Sequence, residues 1–237
     1  MNKALIIIML MLFWKNSGWA QGSNSSKFRL GISYSPYSCY RQLNYEDGNH
    51  WLNDILNNTE ISKYGFSAGL AVQYQVTRKI RIESGIQYSD LGYKTIKIPL
   101  RWTITNQAYP VNSYTVFHYQ FVGIPLIVDY CIPVNKITYF FSGGFSGTVF
   151  LNKRTTLISE YEDGHHSTTS SSKDIGYAKF NLAAVIGFGA SYDLSKKLMF
   201  QLQPIFIQSL NSIVVDNNAK VNLFAIGVNF GLLYSFK

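Results

Sequence analysis

The chain has 237 residues and a formal net charge of +8; 14% of its residues are charged and 16% are aromatic, with 17 Tyr and 16 Phe. So many large rings with so few charges suit an exterior that meets lipid tails and headgroups rather than water alone. Two Cys are too few for a disulfide framework. After residue 20 no apolar run approaches the roughly 20 residues of a spanning helix, so any membrane crossing must be made by strands.

The N-terminus reads as an export signal. Lys3 supplies the positive charge, and Ala4 to Trp14 form an apolar run that is too short to span a bilayer and suits a signal-peptide core. Ser17, Gly18 and Ala20 are small, which places cleavage after Ala20. No Cys lies near that point, which argues against a lipid-anchored lipoprotein. The expected organisation is a signal peptide over 1–20 and a single β domain over 21–237.

From residue 28 the apolar residues recur with period 2, the signature of strands with one apolar face. Eight such segments follow in order. The first carries Phe28, Leu30, Ile32 and Tyr34, and the second Tyr64, Phe66, Leu70, Val72 and Tyr74. The third carries Ile80, Ile82, Ile86 and Tyr88, and the fourth Val122, Ile124, Leu126, Val128 and Tyr130. The fifth has Tyr139, Phe141, Phe145, Val149 and Leu151, and the sixth Phe180, Leu182, Ile186, Phe188 and Tyr192. The seventh, with Phe200, Leu202 and Phe206, is the weakest, and Pro204 within it predicts a local break in pairing. The eighth alternates most regularly, from Phe224 to Phe236, with Leu233 its one bulky exception on the other face.

One apolar face fits either a soluble, lipocalin-like barrel with that face inward or a membrane barrel with it outward. The opposite face is rich in Gly, Ala, Ser and Gln and poor in Lys and Glu. That composition suits a narrow lumen filled by a few polar side chains and not a water-facing surface. Connection lengths decide between the two. Residues 41–62, 99–113, 152–175 and 211–219 are long; 77–79, 132–136 and 194–197 are short. Long loops on one rim and tight turns on the other are the outer-membrane pattern, and an even strand number puts both termini on the short-turn, periplasmic side. The expected fold is therefore all-β: an eight-stranded, antiparallel, up-and-down transmembrane barrel in the bacterial outer membrane. Cys39 and Cys131 then fall near opposite rims, about 25 Å apart by the height of the apolar band, and both should be unpaired.

The last strand ends Asn229-x-Gly231-x-x-Tyr234-x-Phe236, which resembles the assembly signal of outer-membrane barrels, a polar residue and a Gly followed by two spaced aromatics. The segment Gly123-Ile124-Pro125-Leu126-Ile127-Val128, with its Ile-Pro-Leu core, resembles the fourth strand of the PorT-like outer-membrane β-barrel family of Bacteroidetes-type bacteria. The resemblance implies the barrel fold over nearly all the mature chain, and a tie to protein secretion through one branch of that family.

Arg29, Arg81, Glu83, Asp129 and Asp193 all fall on the polar face in the turn-side half, where they are expected to form a salt-bridged luminal plug. A narrow gated pore is the alternative reading of the same charges. Of the four His, His50 lies in the first long loop and His118 near the outer end of the fourth strand. His165 and His166 stand beside Glu162, Asp163 and Ser167, types that serve acyl hydrolysis or bind a metal. They border a Ser- and Thr-rich run, 167–172, read as a mobile loop, which lacks the rigid placement that catalysis needs. Arg78, Lys79, Lys136, Lys196 and Lys197 crowd the short turns, and Lys94, Lys97 and Arg101 approach the second long loop, where they could meet headgroup phosphates. No phosphate loop, zinc pattern or nucleic-acid motif is present, so no cofactor and no nucleic-acid partner is expected. The expected partners are outer-membrane lipid, the barrel assembly machinery during insertion, and secretion-system proteins. The expected function is that of a non-enzymatic barrel acting through loops and partners. A lipid-modifying enzyme and a narrow pore are the alternatives.

Overall fold

The computed structural model describes residues 27–45, 56, 58–103, 109–173, 175–215 and 219–236. The signal-peptide reading of 1–20 and the loop position of His50 lie outside them. Among the described residues ten strands run in chain order: β1 (Phe28–Tyr45), β2 (Glu60–Gln75), β3 (Ile80–Thr95), β4 (Ile98–Pro99), β5 (Asn112–Val134), β6 (Ile137–Glu160), β7 (His166–Lys173), β8 (Phe180–Asp193), β9 (Leu198–Ser209) and β10 (Ala219–Ser235). Eight of them close a ring, each antiparallel to its neighbours in the order β1-β2-β3-β5-β6-β8-β9-β10 and back to β1. Closure pairs Arg29 with Ser235 and Tyr45 with Ala219, leaving no open edge in the wall. The two short strands are additions outside the ring: β4 pairs with β5, and β7 pairs with β6.

Local chemistry explains the tight turns. In the β2–β3 turn the Thr77 hydroxyl accepts from the Lys79 and Ile80 amides at 3.2 and 3.1 Å. Ser195 does the same in the β8–β9 turn, accepting from the Lys197 and Leu198 amides at 3.2 and 3.1 Å. Such side-chain acceptors take over backbone donors that the ladder leaves unpaired. Between β5 and β6 only Asn135 and Lys136 intervene, and Asn135 adopts φ 56°, the left-handed conformation that Asn tolerates in a two-residue hairpin.

The apolar faces point out. Ile32, Ile86, Ile124, Leu126, Phe141, Phe188 and Ile226 are all about three-fifths exposed, from 59% to 62%, and come from six different strands. Monomeric soluble proteins rarely expose contiguous apolar patches of more than a few hundred Å². A belt around the whole circumference is stable only against an apolar medium. Near the short-turn rim it is edged by Phe28, Tyr74, Tyr130, Tyr139, Tyr192, Tyr234 and Phe236, all exposed. Amphipathic rings at that level suit a lipid–water boundary.

Several sequence expectations change here. The 167–172 run is not a loop: His166–Lys173 forms β7, paired residue for residue with Lys153–Glu160 of β6. β1 continues past Cys39 to Tyr45, so Cys39 does not mark a strand end. Both Cys are free and buried. Pro204 interrupts pairing on one side only. It stays in register with Val228 of β10, while the ladder to β8 passes from Gly187–Ile205 to Ala190–Leu202 without a register shift.

Candidate functional site in the lumen and at the long-loop rim

The lumen is filled in two layers of opposite character. The layer nearer the short turns is polar. Arg81 and Asp129 lie opposite each other on β3 and β5, and Arg81 Nε donates to Asp129 Oδ2 at 2.7 Å. Each is 1% exposed. The other carboxylate oxygen accepts from Ser142 Oγ at 2.6 Å, and the guanidinium lies 4.6 Å from the Phe140 ring centre. Two buried charges are tolerated because both carboxylate oxygens are engaged and the cation has a second, aromatic partner.

Glu83 lies on the same face of β3. It accepts from Gln73 Nε2 at 2.7 Å and Gln201 Nε2 at 3.3 Å, and Gln73 also donates to Gln201 Oε1 at 2.7 Å. Gln201 and Asn229 both donate to Gln203 Oε1 at 3.3 Å, and Ser35 Oγ donates to Asn229 Oδ1 at 3.0 Å. This chain of amides crosses the lumen through β2, β3, β9, β10 and β1. Glycines leave it room. A Cβ on Gly189 would fall 2.6 Å from Phe140 Cζ, and one on Gly187 would fall 2.8 Å from Gln203 Nε2.

The layer nearer the long loops is apolar and aromatic. Tyr37, Leu91, Tyr119, Phe121, Phe150 and Leu223 form its centre. Phe121 meets Phe150 edge to face at 5.7 Å, and Phe150 meets Tyr177 at 5.1 Å. Residues 210–215, which follow β9, fold in as a cover, with Ile213 buried and its amide bonded to the Val221 carbonyl at 2.8 Å. Between the layers lies a cavity of about 60 Å³, lined by Glu83, Asn181, Gln203 and Asn229 on the polar side and by Phe121 and Leu223 on the other. That is room for a few water molecules and no large ligand.

A charged cluster stands at the upper edge of the lipid belt. Lys63 Nζ pairs with Asp90 Oδ1 at 2.5 Å, and His118 Nδ1 lies 2.9 Å from Asp90 Oδ2. Gly92, at φ +148°, is required there: a Cβ would run into the Phe117 carbonyl and press to 3.1 Å on Lys63 Cε. Nearby, Arg41 Nε donates to Glu60 Oε2 at 2.6 Å while its guanidinium covers the Tyr93 ring at 4.3 Å. Higher still, well beyond the belt, Lys97 pairs with Glu160 at 2.5 Å. The hydrogen bond from Lys97 holds the Glu160 carboxyl below the usual glutamate range and raises the Lys97 ammonium in turn.

Of the residues singled out from sequence, the structure brings Arg81 and Asp129 together and sets Glu83 apart among amides. Arg29, half-buried, and Asp193, exposed at the short-turn rim, make no direct ion pair among the described residues. Asn229 and Gly231 face the lumen, Gly231 with its Cβ position 3.3 Å from Gln201 Cβ. Tyr234 and Phe236 face outward with their rings edge to face at 5.2 Å. Glu162, Asp163, His165 and His166 occupy the tip of the β6–β7 hairpin, and no three His, Cys, Asp or Glu among the described residues are placed to hold a metal. Sequence reasoning put Gln73, Gln201 and Gln203 on the polar face without singling them out, and it missed the whole apolar layer. Its trace was present in Leu223 and Val221, which are bulky on the face that is small and polar lower down β10.

A family model described as "Outer membrane protein beta-barrel domain" matches residues 19–215. A comparison with curated proteins finds no match. Among solved structures, the chain is similar to Neisserial surface protein A, with 13% identity over 90% of this chain and 100% of that one and a TM-score of 0.40. It is also similar to the outer membrane protein OprG from Pseudomonas aeruginosa (12% identity, 92% and 99% covered, TM-score 0.39). The outer membrane protease OmpT from Escherichia coli gives 9% identity, 92% and 99% covered and a TM-score of 0.41.

Proposed function

Because this chain belongs to the outer membrane protein beta-barrel domain family, we propose that it is a non-enzymatic, PorT-like barrel of the bacterial outer membrane that serves structurally or as a secretion or assembly accessory. The observation that carries this reading is the division of the molecule. The lumen is packed from both ends, while β5, β6 and β7 carry the wall beyond the lipid belt, so contacts are offered by the rim and not by a conduit. In this reading residues 1–20 are removed on export, the termini face the periplasm, and the long-loop rim faces out. The Asn229, Gly231, Tyr234 and Phe236 pattern is then presented to the barrel assembly machinery, and outer-membrane lipid covers the belt. Affinity capture of the native protein in mild detergent tests it. A reproducible secretion or assembly partner is the expected result, and recovery of the barrel alone would reduce the role to a structural one.

A second reading, a lipid-modifying enzyme, draws on one observation, the His118–Asp90 contact beside the lipid boundary, since a carboxylate that orients a His is half of a general-base arrangement. It requires that the purified barrel change the mass of lipopolysaccharide or phospholipid and that His118→Ala abolish the change. Unchanged lipid would remove it.

A further inference from the structure

Lys153, on β6 just above the lipid belt, is held in an unusual way. Its ammonium lies 4.9 Å from the Phe117 ring centre, 5.4 Å from Tyr177 and 5.7 Å from Tyr119. Rings stabilise a cation without cancelling its charge. Directly across the hairpin, Lys153 is paired with Lys173 of β7. Like charges directly opposite on an antiparallel pair repel, so this pairing costs stability unless something lies between them. Among the described residues neither lysine has an acidic partner within ion-pair distance, whereas Arg41, Lys63 and Lys97 each have one.

Register fixes the surroundings. Lys153 also pairs with Tyr119, which is buried in the luminal layer, so both lysines stand on the face that lines the mouth. The next rung on that face is Thr155 opposite Ser171; beyond it Leu157 stands opposite Thr169, and then Ser159 opposite Ser167. Two cations beside a rung of two hydroxyls on one face match an oxyanion attached to a polyhydroxylated carrier.

We propose that Lys153 and Lys173 form an oxyanion site for an acidic saccharide, a sugar bearing phosphate, sulfate or carboxylate, seated in the mouth of the barrel with its hydroxyls along the Thr155–Ser171 rung. The anion bridges the two ammonium groups, and the aromatic box keeps Lys153 in place for it. The lipopolysaccharide of the same membrane and a soluble acidic glycan share this chemistry.

The test uses the full chain refolded in detergent, where both rims are open, so its result does not depend on which rim faces out. A sulfated hexasaccharide and, separately, rough lipopolysaccharide are titrated against the parent, Lys153→Gln, Lys173→Gln, and a control carrying Lys196→Gln and Lys197→Gln on a short turn. Heat-modifiable gel mobility verifies that each variant is folded. Each single variant should weaken binding by about tenfold or more while the turn control binds like the parent. Lys153→Arg should retain binding. Response to the hexasaccharide identifies a soluble glycan, and response to lipopolysaccharide alone identifies the lipid. Failure of both probes to bind, or equal weakening in the turn control, would overturn the site.

Discussion

Arg81 and Asp129 illustrate what the interior demands of a single residue. Asp129 is the only acid in direct ion-pair contact with Arg81 among the described residues, and both are almost fully buried. Asp129→Ala would leave a guanidinium in the lumen with one aromatic neighbour and strand the Ser142 hydroxyl. Removing one partner of a buried pair costs about 3–5 kcal/mol. The expected outcome is a loss of that size in reversible urea unfolding of the refolded barrel, with a smaller loss for Ser142→Ala. Gly189 makes the converse case. Its Cβ position is already taken by Phe140, so Gly189→Val overpacks the layer and should cost about 1–3 kcal/mol in the same assay. These charges were legible from sequence as luminal because they share one parity. Their partners were not, since Arg81 and Asp129 are 48 residues apart and Glu83 and Gln201 are 118 apart.

The β6–β7 hairpin behaves as an element apart from the membrane-embedded wall. Beyond Leu151 it rises for nine residues of β6, about 30 Å along the strand. Its upper end is tied to β4 and β5 by Lys97–Glu160 and by the Val111 amide bonded to the Glu160 carbonyl at 2.8 Å. Because the folded carboxyl titrates below its ordinary value, the stabilisation it contributes is present above the usual glutamate range. It is lost as pH falls through the lowered value. Protection of the amides at residues 157–160, measured relative to their intrinsic exchange rates at each pH, should therefore fall on acidification below the ordinary glutamate range. Glu160→Gln should remove that pH dependence, and protection indifferent to both would show that the pair holds nothing. From sequence the Ser- and Thr-rich run looked like a loop. A strand with both faces exposed to water carries no apolar alternation, so the periodic signal that marks the other strands is absent by physical necessity.

At the scale of the whole molecule the design is a tube lined by its own side chains. The amide network and the aromatic cover lie one above the other with only about 60 Å³ between them. Planar-bilayer recording on the refolded protein should give no steady conductance, and stable single-channel steps would contradict the two-layer filling. The outward belt makes a second prediction. Ile124→Arg, in the middle of the lipid-facing row of β5, should cost about 2–4 kcal/mol, whereas Ile98→Arg, beyond the belt, should cost little. Comparison of unfolding midpoints in the same lipid checks the contrast.

What the sequence determined by itself is the local part. Strand alternation, turn residues and the order of long and short connections are properties of neighbours along the chain, and a period of two with a lipid-facing composition allows few folds besides a closed barrel. Tertiary structure alone decided how the lumen is filled. Closure brings β1 against β10 and aligns registers that no local pattern encodes. That alignment puts Glu83 among amides instead of beside Arg81's partner. It stacks rings from β1, β3, β5 and β6 against Leu223 of β10 in one apolar layer. It also sets Lys153 opposite Lys173 at the mouth of the barrel, above rings contributed by β5 and by Tyr177.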